Sequence, residues 1–147
     1  MKIETKYQGT IEVNKEDVIL FATGLPGFAD DSQFVLLPFL DDLPYFILQS
    51  IQSRDLAFVV VDPYPFFQGY QYKLNDAAVQ SLKIEHPEDV ATFVILTLKE
   101  PFANTTANLQ GPIVINVKEK LGKQLILNDS SYKTKHPLFI SKEGASC

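Results

Sequence analysis

The chain has 147 residues, 46% of them hydrophobic and 12% aromatic, with eleven phenylalanines and no tryptophan. This is the size of one domain, able to bury about 70% of its unfolded surface without a metal or a disulfide, and it is too apolar for a disordered chain. The net charge of −5 is uneven: residues 1–98 hold 14 acidic and 6 basic side chains (−8), and residues 99–147 hold 4 and 7 (+3). Such an acidic front argues against direct nucleic-acid binding, since phosphates would be repelled, and leaves a basic protein partner or a plainly solvated face.

In chain order, Met1-Lys2-Ile3-Glu4 carries an acid and no apolar core of the kind a secretion signal needs. No apolar run approaches the ~20 residues of a membrane helix, so a cytoplasmic protein without membrane contact is expected. Short apolar, β-branched and aromatic runs between turn residues predict strands over residues 2–7, 9–13, 18–21, 33–37, 45–50, 57–61, 70–74, 92–98, 113–117 and 124–128. Residues 10–13 alternate apolar with polar, which gives one wet face. Residues 57–61 and 93–96 are apolar throughout, which predicts strands covered on both faces. Gly24-Leu25-Pro26-Gly27 sets a sharp turn, and residues 29–32 are suited to a single helical turn. Asn75 caps a helix over 76–83, with Asp76 at its positive end and Ala78, Val79 and Leu82 on one face. Another helical turn is expected at 87–89, and residues 119–123 read as a hairpin connection. Residues 141–147 have no apolar period and are expected to form a flexible tail on a single domain spanning 1–140. Ten strands and one short helix near 75–83 predict a mainly β fold, an antiparallel sheet closed into a small barrel or folded as a sandwich.

The search for catalytic chemistry returns little. His86 and His136 each precede a proline and lie far apart, so neither metal-ligand spacing nor a catalytic pair arises. Cys147 is the lone cysteine and the last residue. Asp30-Asp31 and Asp41-Asp42 are paired only along the chain, where neighbouring carboxylates point apart, whereas acid–base chemistry needs them facing across a cleft. They read as solvated loop acids or as contacts for a basic partner. The Gly24–Gly27 turn lacks the Lys-Ser/Thr of a phosphate loop. No catalytic residue, metal site or cofactor is predicted. The alternative is a β-barrel small-ligand carrier or enzyme with an internal pocket, for which Gln49, Ser50 and Thr97 are the best polar candidates. The least ordinary stretch is Asp62-Pro63-Tyr64-Pro65-Phe66-Phe67-Gln68-Gly69-Tyr70, with four aromatics and two prolines in nine residues. Tyr64, Phe66, Phe67 and Tyr70 on a stiff loop suit protein-binding anchors. Equally, the rings could fold back and plug one end of a barrel.

The order of motifs resembles the flagellar assembly factor FliW family of bacteria. The residues concerned are Phe21-Ala22-Thr23-Gly24-Leu25-Pro26-Gly27-Phe28, then Phe46-Ile47-Leu48-Gln49-Ser50, then Ala57-Phe58-Val59-Val60-Val61-Asp62-Pro63 and Tyr70. Ala107-Asn108-Leu109-Gln110-Gly111-Pro112-Ile113-Val114-Ile115-Asn116 follows. Gly111 stands where the family carries alanine, a mild change. The resemblance implies a small, non-enzymatic β-barrel-like protein. It implies binding of the translational repressor CsrA, which relieves repression of flagellin mRNA, and chaperone-like binding of flagellin itself. Asp30, Asp31, Asp41 and Asp42 are the expected charged contacts, and Tyr64, Phe66, Phe67 and Tyr70 the expected anchors. Gly24, Pro26, Gly27, Asn108 and Pro112 are expected to be structural, setting turns and bonding to backbone.

Overall fold

The computed structural model describes residues 1–39, 45–128 and 131–139. Among these, eleven strands form: β1 (Lys2–Glu4), β2 (Thr10–Glu12), β3 (Ile19–Leu20), β4 (Gln33–Pro38), β5 (Tyr45–Ser50), β6 (Ala57–Val61), β7 (Val90–Thr97), β8 (Thr106–Ala107), β9 (Ile113–Asn116), β10 (Leu121–Gln124) and β11 (His136–Pro137). One α-helix, α1, runs from Asp76 to Ser81. Strands β3, β4, β5, β6, β7, β9 and β10 make a closed barrel of seven, sealed where β7 pairs with β9. All pairings are antiparallel except the parallel contact of β10 with β3. The mainly β expectation holds, in its barrel form.

Phenylalanine fills the interior. Phe21 and Phe34 meet edge to face at 5.3 Å, and Phe46 and Phe93 do so at 5.5 Å, geometries that favour the ring quadrupoles. Leu48, Val60, Ile113 and Ile115 complete this core. Gly122 makes room for it. A Cβ built there would sit 2.5 Å from Cζ of Phe21, so the strand can lie against the ring only without a side chain. The reading that put Gly122 in a hairpin connection is therefore corrected. The turn comes earlier, Lys120 takes the left-handed conformation at φ 58°, and Gly122 is a strand residue opposite Ile115.

The outer face is covered as well, which explains why β6 and β7 do not alternate. Val60 and Phe93 point inward, while Val59, Val61, Val94 and Leu96 pack outward under Tyr70, Leu109 and Leu138. The β1–β2 hairpin covers Val35 with Ile3 and Val13. Helix α1 lays Ala78 and Leu82 on Val114 and Leu125. Its cap is as expected, with Asn75 Oδ1 accepting from the Ala78 amide at 2.8 Å. Its other end is closed by Lys83 N–H to Gln80 C=O and Ile84 N–H to Val79 C=O, with Lys83 left-handed at φ 55°. The side chain of buried Asn116 ties that end to the barrel. Its Nδ2 donates to the carbonyls of Leu82 (2.7 Å) and Lys83 (3.1 Å), and its Oδ1 accepts from the amides of Lys118 and Glu119.

Four local expectations are revised. Residues 71–75 run without a ladder, so the strand expected at 70–74 is absent. The last long strand is shifted, ending at Gln124, although Leu125 N–H still reaches Pro112 C=O and Leu127 N–H reaches Gln110 C=O. Residues 29–30 form a single turn closed by Asp31 N–H to Phe28 C=O, shorter than the 29–32 expected. The two-residue strands β8 and β11 were not foreseen. The tail at 141–147 lies outside the described residues.

Gly122→Ala is expected to destabilise the fold by roughly 1–3 kcal/mol through overpacking against Phe21. Urea unfolding measures this, and a midpoint equal to the unaltered protein's would show that the ring has free space.

Candidate functional site

The aromatic loop after β6 is built by backbone geometry. Asp62 Oδ1 accepts from the Tyr64 amide at 3.1 Å. The Pro63 carbonyl then accepts from the amides of both Phe66 and Phe67, and Phe67 C=O accepts from Tyr70 N–H. Two prolines and these turns hold the loop stiff. Tyr70 anchors it. The side chain is 4% exposed, its hydroxyl donates to Leu109 C=O at 2.7 Å, and its ring meets Tyr132 edge to face at 4.8 Å. Burial, with the neighbouring tyrosines, pushes the Tyr70 phenol well above its ordinary range, so it stays a donor at any physiological pH. Phe66 and Phe67 are half-buried against the outer core and Tyr64 is exposed. The loop therefore lies across the outside of the barrel wall, and its rings pack on the outer core and not into the inner one.

Phe66 belongs to a larger surface cluster. It lies 6.1 Å from Tyr45 and 6.2 Å from Phe139, Phe139 lies 5.4 Å from Phe102, and Phe102 lies 6.2 Å from Tyr45. Phe102 is 45% exposed and Phe139 37%. Sequence reasoning missed both, because Phe102 is a lone aromatic among polar residues and Phe139 belongs to the short apolar run 138–140, and only the fold brings them to Phe66. Grouped exposed aromatics of this kind mark protein-contact surfaces.

The acidic candidates separate. Asp30 is exposed within the turn that follows Phe28. Asp31 accepts from the Ser50 hydroxyl at 2.6 Å, and Ser50 Oγ in turn accepts from the amides of Gln52 and Ser53, so Asp31 braces a loop. Asp41 and Asp42 lie outside the described residues. At the first motif, Pro26 and Gly27 are the central pair of a turn with Gly27 at φ 86°, the geometry of a type II turn. Gly24 is left-handed at φ 68°, and a Cβ there would meet the Ala29 backbone at 2.6 Å. Asn108 Oδ1 accepts from the amides of Gln110 and Gly111, and buried Pro112 leads into β9.

Two concavities stand out among the described residues. One, of about 430 Å³, opens at a barrel mouth between Leu36, Phe93 and Ile115, with Asp17 and Lys120 at its rim. The other, of about 620 Å³, lies outside the wall between the tyrosines of the loop and the start of β7. Gln49, Ser50 and Thr97 line neither. Gln49 is consumed by backbone, accepting from Lys6 N–H and donating to the carbonyls of Ser50 and Arg54. The internal-pocket reading is thus not favoured. Among the described residues no cluster of three or more potential ligand side chains is placed to hold a metal ion, and no helix is long and apolar enough to cross a membrane.

His136 closes the edge of the aromatic surface. Its Nε2 accepts from the Lys133 amide at 2.8 Å, and its ring lies near those of Phe67 and Tyr132. Burial, and then the Lys133 ammonium, lowers its pKa from the ordinary 6.5. Its contribution to stability is therefore complete above pH 6.5 and is lost as pH falls through the lowered folded value. Thermal unfolding of the unaltered protein should lose midpoint between pH 7 and 5 relative to a His136→Gln variant. Parallel curves would exclude this linkage.

Comparison with known proteins places these features in context. The family model described as FliW protein matches residues 2–138. A flagellar assembly factor FliW of Anoxybacillus flavithermus is 54% identical over 139 residues, covering 95% of each chain. That of Bacillus subtilis is 46% identical over 147 residues, covering both chains entirely. A crystal structure of the flagellar assembly factor FliW superposes with a TM-score of 0.92 at 49% identity, over 97% of this chain and 99% of the other. With its barrel and nearly its whole length shared in this way, the chain belongs to the FliW family of flagellar assembly factors.

Proposed function

We propose that this flagellar assembly factor acts in the cytoplasm without catalysis, by binding two proteins. One is the translational repressor CsrA, whose repression of flagellin mRNA it relieves. The other is flagellin, bound in a chaperone-like manner, so that free flagellin competes for the factor and feeds back on its own synthesis. Family membership supports the reading. The observation that carries it is the aromatic surface, where Tyr64, Phe102 and Phe139 are exposed beside half-buried Phe66 on a rigid loop. Rings already held in place lose little entropy on docking. Tyr70 and Phe67 support the surface from beneath, and Tyr64 and Phe66 offer contact. The acidic front supplies the second element. Residues 1–98 carry a net −8, with Asp30 exposed and Asp41 and Asp42 as further proposed contacts. A basic RNA-binding repressor is drawn to such a face, and the complex then presents negative potential against RNA phosphate.

Titration calorimetry of CsrA into the protein should show affinity that weakens steadily with added salt, as expected when surface charges are screened. Affinity unchanged by salt would remove the electrostatic element. Phe102→Ala is expected to leave the thermal midpoint nearly unchanged, because the ring is largely exposed, and to weaken flagellin or CsrA binding about tenfold or more. Unaltered binding of both partners would dissociate the aromatic surface from function.

A further inference from the structure

Strand β7 has one edge that is only partly used. On one side it pairs with β9 over Val90–Phe93 and then with β8 at Leu96 and Thr97. On the other side β6 pairs only at Val94 and Ile95, then turns away at Asp62-Pro63. The direction of the backbone groups can be read from two bonds. Asp89 C=O accepts from Val117 N–H, and Ile95 C=O accepts from Asn108 N–H, each at 2.9 Å. Backbone groups alternate sides along a strand, so Asp89, Ala91, Phe93 and Ile95 face β9 and β8. Val90, Thr92 and Val94 face the other way. Val94 meets Val61 of β6 there, and the Val90 amide is taken by Pro87 C=O. The Thr92 N–H, the Thr92 C=O and the Val90 C=O remain directed at an edge where no strand among the described residues pairs.

This edge opens into the 620 Å³ concavity beneath Asp62, Tyr64, Tyr70 and Tyr72, and the walls at Ala91 and Phe93 are shared with the barrel mouth. An acceptor, a donor and an acceptor in turn at strand spacing are what an extended backbone satisfies. We propose that Val90–Thr92 is a strand-addition site that takes an extended segment of a partner protein, with apolar side chains alternating with basic ones. The apolar side chains would turn inward beside Ala91 and Phe93. The basic ones would turn outward over the tyrosine faces, where cation–π attraction acts, and toward Asp62. Exposed Glu88 precedes the edge in sequence and only Lys73 opposes it in the slot. The aromatic loop walls this edge, so a single strand fits where the edge of a second folded copy would meet the loop. This site goes beyond the function proposed above and depends on neither partner named there.

The probe is an acetylated, amidated (Val-Lys)4 peptide added to the full chain, read by NMR hydrogen exchange. In the free protein the Thr92 amide should exchange far faster than those of Ala91 and Phe93, which face β9. Peptide should slow Thr92 exchange by about tenfold or more. Methylating the nitrogens of all the valines or of all the lysines should abolish binding for one set and spare it for the other, since only one set faces β7. Thr92→Pro removes the donor while leaving the β9 ladder intact, and should weaken binding about tenfold or more, whereas Thr92→Val, which loses only the hydroxyl contact with Tyr72, should bind like the unaltered protein. If that variant fails to fold, the two methylated peptides decide the matter with the unaltered protein. Absence of binding, equal effects of the two methylations, or unchanged Thr92 exchange would each overturn the proposal. So would Thr92 protection that rises with protein concentration alone, which assigns the edge to a second copy.

Discussion

Closure of the barrel depends on one strand serving partners on both sides. The eight residues of β7 bind β9 with their first half and β6 from the middle, while β8 takes the far end. Seven strands close in this way around a ring of phenylalanines, and the tight approach at Gly122 sets how near β10 comes to Phe21. The staggered use of β7 has a local result. Where β6 departs, its chain crosses the outer wall as the aromatic loop, and among the described residues no strand pairs with that side of the first half of β7. The most unusual surface chemistry of the molecule therefore sits where the sheet is least complete.

Much of the barrel was legible because its strands are longer than the noise in the pattern. Tyr45–Ser50 and Ala57–Val61 form with the bounds their composition suggested, and the unbroken apolar run of β6 correctly signalled cover on both faces. What escaped was set by tertiary contact. Strands β8 and β11 have two residues each, and one of them is His136-Pro137, whose composition argues for a loop. Residues 70–74 have the aromatic content of a strand, yet Tyr70 and Tyr72 are committed to Leu109, Tyr132 and Thr92, so that segment packs by side chains and not by a ladder. Gly122 looked like a turn residue because the reason for its missing side chain, the Phe21 ring, is about a hundred positions away.

The candidate surface was half legible for the same reason. A dense aromatic stretch between prolines announces itself, and Tyr64, Phe66, Phe67 and Tyr70 do share one loop. Their division of labour could not be read, since it is burial that makes Tyr70 a brace and Tyr64 a contact. Asp30 and Asp31 are adjacent in sequence and differ in the same manner, one in solvent and the other bonded to Ser50. Phe102 and Phe139 join the cluster only through folding.

The segment carrying Phe139 makes the surface separable from the barrel. It is held by the two-residue pairing of β11 with β8, by buried Leu138, and by Tyr132 against Tyr70. All seven strands of the barrel precede it in the chain. Opening of that short pairing would thus take one wall from the aromatic surface and leave the seven-stranded core closed. The surface is whole only while Phe139 is seated against Phe66 and Phe102, so readiness to meet a partner through it depends on two residue pairs and not on the barrel.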